Sequence, residues 1–138
     1  MKNETKVEQL QDMLTELDPP YESIEELRIG RLLDQYGIPF FYKQATIIYD
    51  QGKNEIWKPT FTLFSYGGLV IDYVPGIEQD QKDELLSKEQ IYHYNQIPAI
   101  LLGPKDITLP KWEDLLYEKI EKMSRRPIEA VDYHPESF

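Results

Sequence analysis

Lys58 to Gly76, Lys-Pro-Thr-Phe-Thr-Leu-Phe-Ser-Tyr-Gly-Gly-Leu-Val-Ile-Asp-Tyr-Val-Pro-Gly, constrains the fold more than any other stretch of the chain. Gly67-Gly68 supplies the positive-φ positions that a hairpin loop needs. Phe61, Leu63, Leu69 and Ile71 are apolar and alternate with other residues, the period-two pattern of a strand. Two antiparallel strands joined by a tight turn are expected. Asp72 is the acidic residue on this hairpin, placed where an apolar strand is about to end. It reads either as a functional carboxylate or as a strand end in solvent.

The flanking segments place the hairpin in an α/β sandwich. Residues 3–17 carry Val7, Leu10, Met13, Leu14 and Leu17, one apolar stripe on a helix. Asp18-Pro19-Pro20 ends it, because proline disfavours helix in the residue before it. This helix either packs on the domain or serves as an arm to a partner. Ser23 and Glu26 have capping-box spacing and open a second helix. Its buried face is expected to be Ile24, Leu27, Leu32, Leu33 and Tyr36, with Gly37 as the C′ residue.

Pro39 leads into a strand from Phe40 to Tyr49, and 50–54 form a loop or hairpin turn. The next strand runs from Glu55 to Ser65 and contains Pro59, which suggests an edge or a bulge. Residues 80–95 read as a helix with Leu85, Leu86, Ile91 and Tyr92 apolar. Pro98 to Leu102 is a short, wholly apolar strand of the kind buried on both faces. A helix between two such strands implies a parallel pair with a right-handed crossover. Pro110 stands at N1 of a last helix, Lys111 to Met123, with Trp112, Leu115, Leu116 and Ile120 inward. The expectation is a mixed sheet of about four strands, an antiparallel meander plus one parallel strand, flanked by helices. Residues 1–20 form an N-terminal helical extension, 21–123 the α/β domain and 124–138 an irregular tail.

Composition narrows the function classes. The chain has 138 residues, enough for one domain with a real core. It lacks cysteine, which excludes disulfides, thiolate nucleophiles and cysteine-ligated zinc. His93 and His134 have no partner histidine at ligand spacing. The net charge of −10 argues against charge-driven binding to nucleic acid, whose affinity comes largely from lysine and arginine. A local basic groove is still available from Lys43, Lys53 and Lys58, with Arg28 and Arg31 on one helix. Met1-Lys2-Asn3-Glu4 has no apolar signal-peptide core, and the longest apolar run, Ile97 to Leu102, is far too short for a bilayer. A soluble, cytoplasmic protein with no membrane partner is expected.

The ordered motifs are Ser23-x-x-Glu26, Gly37-Ile38-Pro39-Phe40, Pro59-Thr60-Phe61-Thr62-Leu63, Val70-Ile71-Asp72-Tyr73 and Pro75-Gly76. Lys88-x-x-x-Tyr92, Ile97-Pro98-Ala99-Ile100-Leu101-Leu102 and Pro104-Lys105-Asp106-Ile107 before Trp112 follow. Over residues 21–123 this series resembles the PD-(D/E)xK nuclease superfamily, the restriction-endonuclease-like fold. The resemblance implies a magnesium site held by carboxylates, in which the metal lowers the pKa of a bound water and a lysine assists. Asp72 falls where such nucleases place the second strand acid, and Glu26 where they place a helix glutamate. Thr60 stands where their strand-two aspartate should be, and Val74 where the motif lysine should be. Glu55 does not replace that aspartate, since odd spacing points it to the opposite face unless Pro59 makes a bulge. Lys58 shares the face of Thr60, and Lys88 approaches from the crossover helix.

The resemblance therefore implies a degenerate, catalytically inactive nuclease-like domain that binds nucleic acid or protein, or acts as a scaffold. The alternative is an active magnesium-dependent nuclease acting on DNA, with Glu26 and Asp72 as metal ligands and Lys88 or Lys58 assisting the water. A third reading is an oligomerising protein, a homodimer for example, that uses its N-terminal helix. Each residue also has a plainer role. Glu26 is half of a capping box, Lys58 a solvated strand lysine, and Lys88 with Tyr92 packing one helical turn apart. Arg125-Arg126 complement a helix dipole. Trp57, Phe61, Phe64 and Tyr66 stack bases or form sheet core.

Overall fold

In the computed structural model, which describes residues 19–75 and 78–133 apart from the side chains of 78–81 and 124–133, Ser23 opens the first of the described helices. The chain divides into two compact units, Met1–Ile38 and Pro39–Phe138. The described part of the first unit is α1, Ile24–Gln35, with its two ends. Ser23 is extended, and its hydroxyl accepts from the Glu26 amide at 3.1 Å. The Glu26 carboxylate reaches back to the Glu22 amide at 3.3 Å, one residue beyond the usual capping-box partner. At the other end the Gly37 amide donates to Asp34 O and the Ile38 amide to Leu33 O, the Schellman pattern.

The buried face of α1 differs from the expected one. Ile29, Leu32 and Leu33 are buried, together with Glu26 and Gly30, while Ile24 and Tyr36 are each 40% exposed. Those two apolar residues sit at the helix ends, so the face is set by the middle turns. Tyr21 explains the buried glycine: a methyl group on Gly30 would collide with the Tyr21 ring and hydroxyl. The expected helix over 3–17 lies outside the described residues.

The second unit holds a four-stranded mixed sheet and a separate hairpin. The sheet strands are β1 (Phe41–Tyr42), β4 (Phe61–Leu63), β5 (Leu69–Tyr73) and β6 (Ala99–Leu102), in that spatial order. The first two pairings are antiparallel and β5–β6 is parallel. The hairpin is β2 (Thr46–Asp50) with β3 (Lys53–Trp57), closed by Gln51 and Gly52 at φ 51° and 80°. Positive φ at both loop positions is the type I′ geometry that matches strand twist.

What reads in sequence as two long strands is thus broken into four short ones. Lys43 has φ 53°, and its amide turns to Thr60 O at 3.1 Å. The next residue of the opposite strand, one step past Thr60, is Pro59, which has no amide to donate. Both strands therefore leave the main sheet at the same level and continue as the separate hairpin. The β4–β5 connection is longer than a tight turn: a 3₁₀ turn, Phe64–Tyr66, precedes Gly67 and Gly68 at φ 71° and 76°.

Helix α2, Glu78–Tyr94, joins β5 to β6 as the parallel pair requires. Val70, on one face of β5, clusters with Ile48 and Tyr92, and Trp57, Ala99 and Leu101 pack against them. Thus α2 and the hairpin cover that face. Asn95, just past α2, fastens the hairpin in place. Its carboxamide accepts from the Tyr49 amide at 2.8 Å and donates to the Tyr49 carbonyl at 3.0 Å, as a neighbouring strand would. On the opposite face Phe61, Leu63, Leu69 and Ile71 are wholly buried. Burying side chains of this size stabilises the fold by about 1.5–3 kcal/mol each.

The last helix, α3, spans Trp112–Tyr133. It starts after Lys111, whose φ of 60° is not helical, and so begins later than Pro110 suggests. It also runs past Met123 to Tyr133, where an irregular tail was expected. The backbone continues as helix through Pro127. Among the described residues no helix is long and apolar enough to cross a membrane.

Candidate functional site: a saturated carboxylate

Asp72 lies on β5, all of whose residues are buried, on the face that carries Val70 and packs against α2. It is 6% exposed, so a carboxylate that looks like a strand end in sequence is interior. A buried carboxylate is costly unless its lone pairs are filled. Here Oδ1 accepts from the Thr60 hydroxyl at 3.1 Å and from the Thr60 amide at 3.4 Å. Oδ2 accepts from the Tyr92 hydroxyl at 2.9 Å and from the Lys88 ammonium at 3.5 Å. The Thr60 hydroxyl in turn accepts from the Tyr73 amide at 3.0 Å, which fixes the direction of its own proton.

The elements explain the convergence. Asp72 lies one step beyond the Phe61–Ile71 pair, which brings Thr60 alongside it. On α2 the inward positions include Leu85, Lys88, Ile91 and Tyr92, at helical spacing, and Asn95 just past the helix continues the stripe. Lys88 therefore sits in an inward stripe and reaches a buried partner, with its side chain still 31% exposed. Its ammonium also stands 5.7 Å from the Trp57 ring centre, and Trp57 meets Tyr92 edge to face at 5.2 Å. Burial, then the Asp72 charge, then the hydrogen bond to it push the Tyr92 phenol pKa well above its ordinary value. Tyr92 is thus a committed donor.

The sequence-predicted site residues do not all share this cluster. Asp72 and Lys88 are brought together, with Thr60 and Tyr92 completing the set. Lys58 is exposed between β3 and β4 and gives Asp72 none of its hydrogen bonds. Glu26 belongs to the first unit, where it is buried and takes part in the helix cap. Val74 is buried, and its amide continues the ladder to β6 through Leu102 O at 2.8 Å. The aromatic group divides: Phe61 is core, Phe64 lies against Phe41, and Trp57 joins the Asp72 cluster. Sequence reasoning missed Asn95 and its tie to Tyr49. Its signal was an amide side chain just past the end of a helix.

The magnesium ion implied by the resemblance fits this donor set poorly. Both Asp72 oxygens already accept hydrogen bonds, and a divalent cation there would have to displace the Lys88 ammonium. Thr60 offers a hydroxyl that is already engaged. Among the described residues, no group of three or more histidine or acidic side chains stands close enough to hold a metal ion. No protein family, curated protein or solved structure matches the chain. Fold and site together define a mixed-sheet α/β protein with a buried, hydrogen-bonded carboxylate cluster.

Proposed function

We propose that this chain is a non-catalytic binding or scaffolding module, cytoplasmic, with a nuclease-like architecture whose metal position has become structural. The observation that carries this reading is the set of donors on Asp72: the Thr60 amide and hydroxyl, the Tyr92 hydroxyl and the Lys88 ammonium. A lysine charge and two hydroxyls replace what a cation would supply, so Asp72 anchors α2 to β5 and binds no substrate. The net charge of −10 favours protein over nucleic acid as the partner class.

Calorimetric titration with magnesium and manganese tests the reading, together with nicking assays on single-stranded, double-stranded and branched DNA. No binding heat and no cleavage are expected. Metal-dependent cleavage that Asp72→Ala abolishes would establish the active nuclease instead.

A further inference from the structure

Asn95 fixes more than the hairpin. Its carboxamide bonds to the Tyr49 amide and carbonyl at 2.8 and 3.0 Å, and its Nδ2 also donates to the Ile91 carbonyl at 2.8 Å. Tyr94, the residue before it, is thereby kept beside Tyr49. The two rings lie 22° from parallel, with their centroids 6.1 Å apart. Both are exposed, Tyr49 by 43% and Tyr94 by 70%. The backbones of the pair are fixed, while the rings stand in solvent with their faces turned to one another.

The rings line a cavity of about 380 Å³ between the β2–β3 turn and α2, together with Asp50, Gln51, Gln90 and Ile91. The charged side chain of this lining is Asp50. Among the described residues, no hydrogen bond or ion pair engages the side chain of Asp50 or Gln90, in contrast to the saturated Asp72. Lys53, the cross-strand neighbour of Asp50, is exposed and lies outside the lining. The cavity sits at the last turn of α2, the helix end whose dipole favours a cation.

We propose that this slot takes an arginine side chain of a partner protein. A guanidinium is flat, weakly hydrated and always charged, so it stacks between Tyr49 and Tyr94 while its N–H fork meets the Asp50 carboxylate. The carboxamide oxygens of Gln51 and Gln90 accept from the N–H groups left over. A flat group between two rings needs about 7 Å, twice the usual contact of about 3.5 Å, so the rings part by about 1 Å. Rotation of the two exposed side chains supplies that space, and Asn95 holds the backbone still. A lysine ammonium is not flat and offers no fork. A nucleobase is flat, but it lacks the positive charge that Asp50, the helix end and the net charge of −10 all favour. The inference deepens the reading of the chain as a protein-binding module. Its test reads arginine binding, not metal or cleavage, so either reading can fail without the other.

Titration of the isotope-labelled full chain with acetyl-glycyl-arginyl-glycinamide, followed by amide chemical shifts, is the experiment. Saturating shifts confined to 49–52 and 90–95 are expected, with a dissociation constant on the order of 1 mM. The lysyl and citrullyl counterparts and guanosine should bind at least about tenfold more weakly, since citrulline keeps the flat shape and removes the charge. Asp50→Asn and Tyr94→Ala should each weaken arginine binding about tenfold. Gln90→Lys sets a cation in the slot and should abolish it. If Asp50→Asn alters the turn, as its own amide spectrum would reveal, the two helix substitutions decide alone. No shifts at these residues overturn the proposal. So does equal binding of the lysyl peptide, the citrullyl peptide or guanosine, or an affinity for arginine that any of the folded variants leaves unchanged.

Discussion

The Tyr92 hydroxyl meets Asp72 Oδ2 at 2.9 Å and joins the crossover helix to the central strand by a buried, charge-assisted hydrogen bond. The pair constrains both partners. Asp72 requires a donor, and Tyr92 cannot ionise without setting a second negative charge beside the first.

Alkaline pH should therefore unfold the protein. The folded state raises the Tyr92 pKa above 10.0, so it keeps a proton that the unfolded chain releases. Tyr21 behaves alike, pushed up to about 12 by burial first and then by Asp34 and Glu26. When the folded state binds more protons, stability falls as pH rises. This stabilisation is complete below about pH 10 and is lost as pH climbs through the raised values. Urea midpoints measured from neutral to strongly alkaline pH should show the decline, and Tyr92→Phe should make it shallower. Parallel declines in the two proteins would remove Tyr92 from the explanation.

Lys88→Met should destabilise the fold by about 2 kcal/mol, below the roughly 3–5 kcal/mol of a fully buried pair. The discount follows from the 31% exposure of the Lys88 side chain. Combined with Asp72→Asn, the loss should be less than additive, because both changes remove one interaction. Additive losses in urea denaturation would mean that the 3.5 Å contact carries no coupling.

Thr60→Asp tests what closes the site to cations. It replaces a hydroxyl that donates to Asp72 with a second carboxylate, and like charges in a buried site are costly. A loss of about 3 kcal/mol is expected. Magnesium should raise the melting temperature of this variant and leave that of the parent unmoved. Equal responses in both proteins would show that the Thr60 hydroxyl is not the barrier.

Thr62→Val should stabilise the protein. The Thr62 hydroxyl oxygen is buried and has no hydrogen-bond partner. Valine keeps the shape and the strand preference while removing the unsatisfied polar atom. The expected gain is about 1 kcal/mol, seen as a higher urea midpoint. A lower midpoint would mean that the hydroxyl is satisfied in solution.

Gly30→Ala should reverse the usual helix rule. Alanine in a helix interior normally stabilises by about 1 kcal/mol over glycine. Here the added methyl would strike the Tyr21 ring, and overpacking of this kind costs about 1–3 kcal/mol. A higher melting temperature for Gly30→Ala would show that the ring moves aside freely.

Sequence alone determined the parts of this protein that depend on neighbours along the chain. Ser23 and Glu26 announced helix α1, and the apolar runs around Ile71 and Ile100 announced a parallel pair joined by a helix. Thr60, Asp72, Lys88 and Tyr92 were each conspicuous as residues. Their mutual contacts were not legible, because they span 12 to 20 positions and arise only when β4, β5 and α2 pack. Tertiary structure alone also split the two long strands into a sheet and a hairpin. A period-two pattern records which face a residue takes, but not which strand lies beside it. The same limit hid the burial of Asp72: whether a carboxylate faces water or four donors is decided by distant segments that close over it.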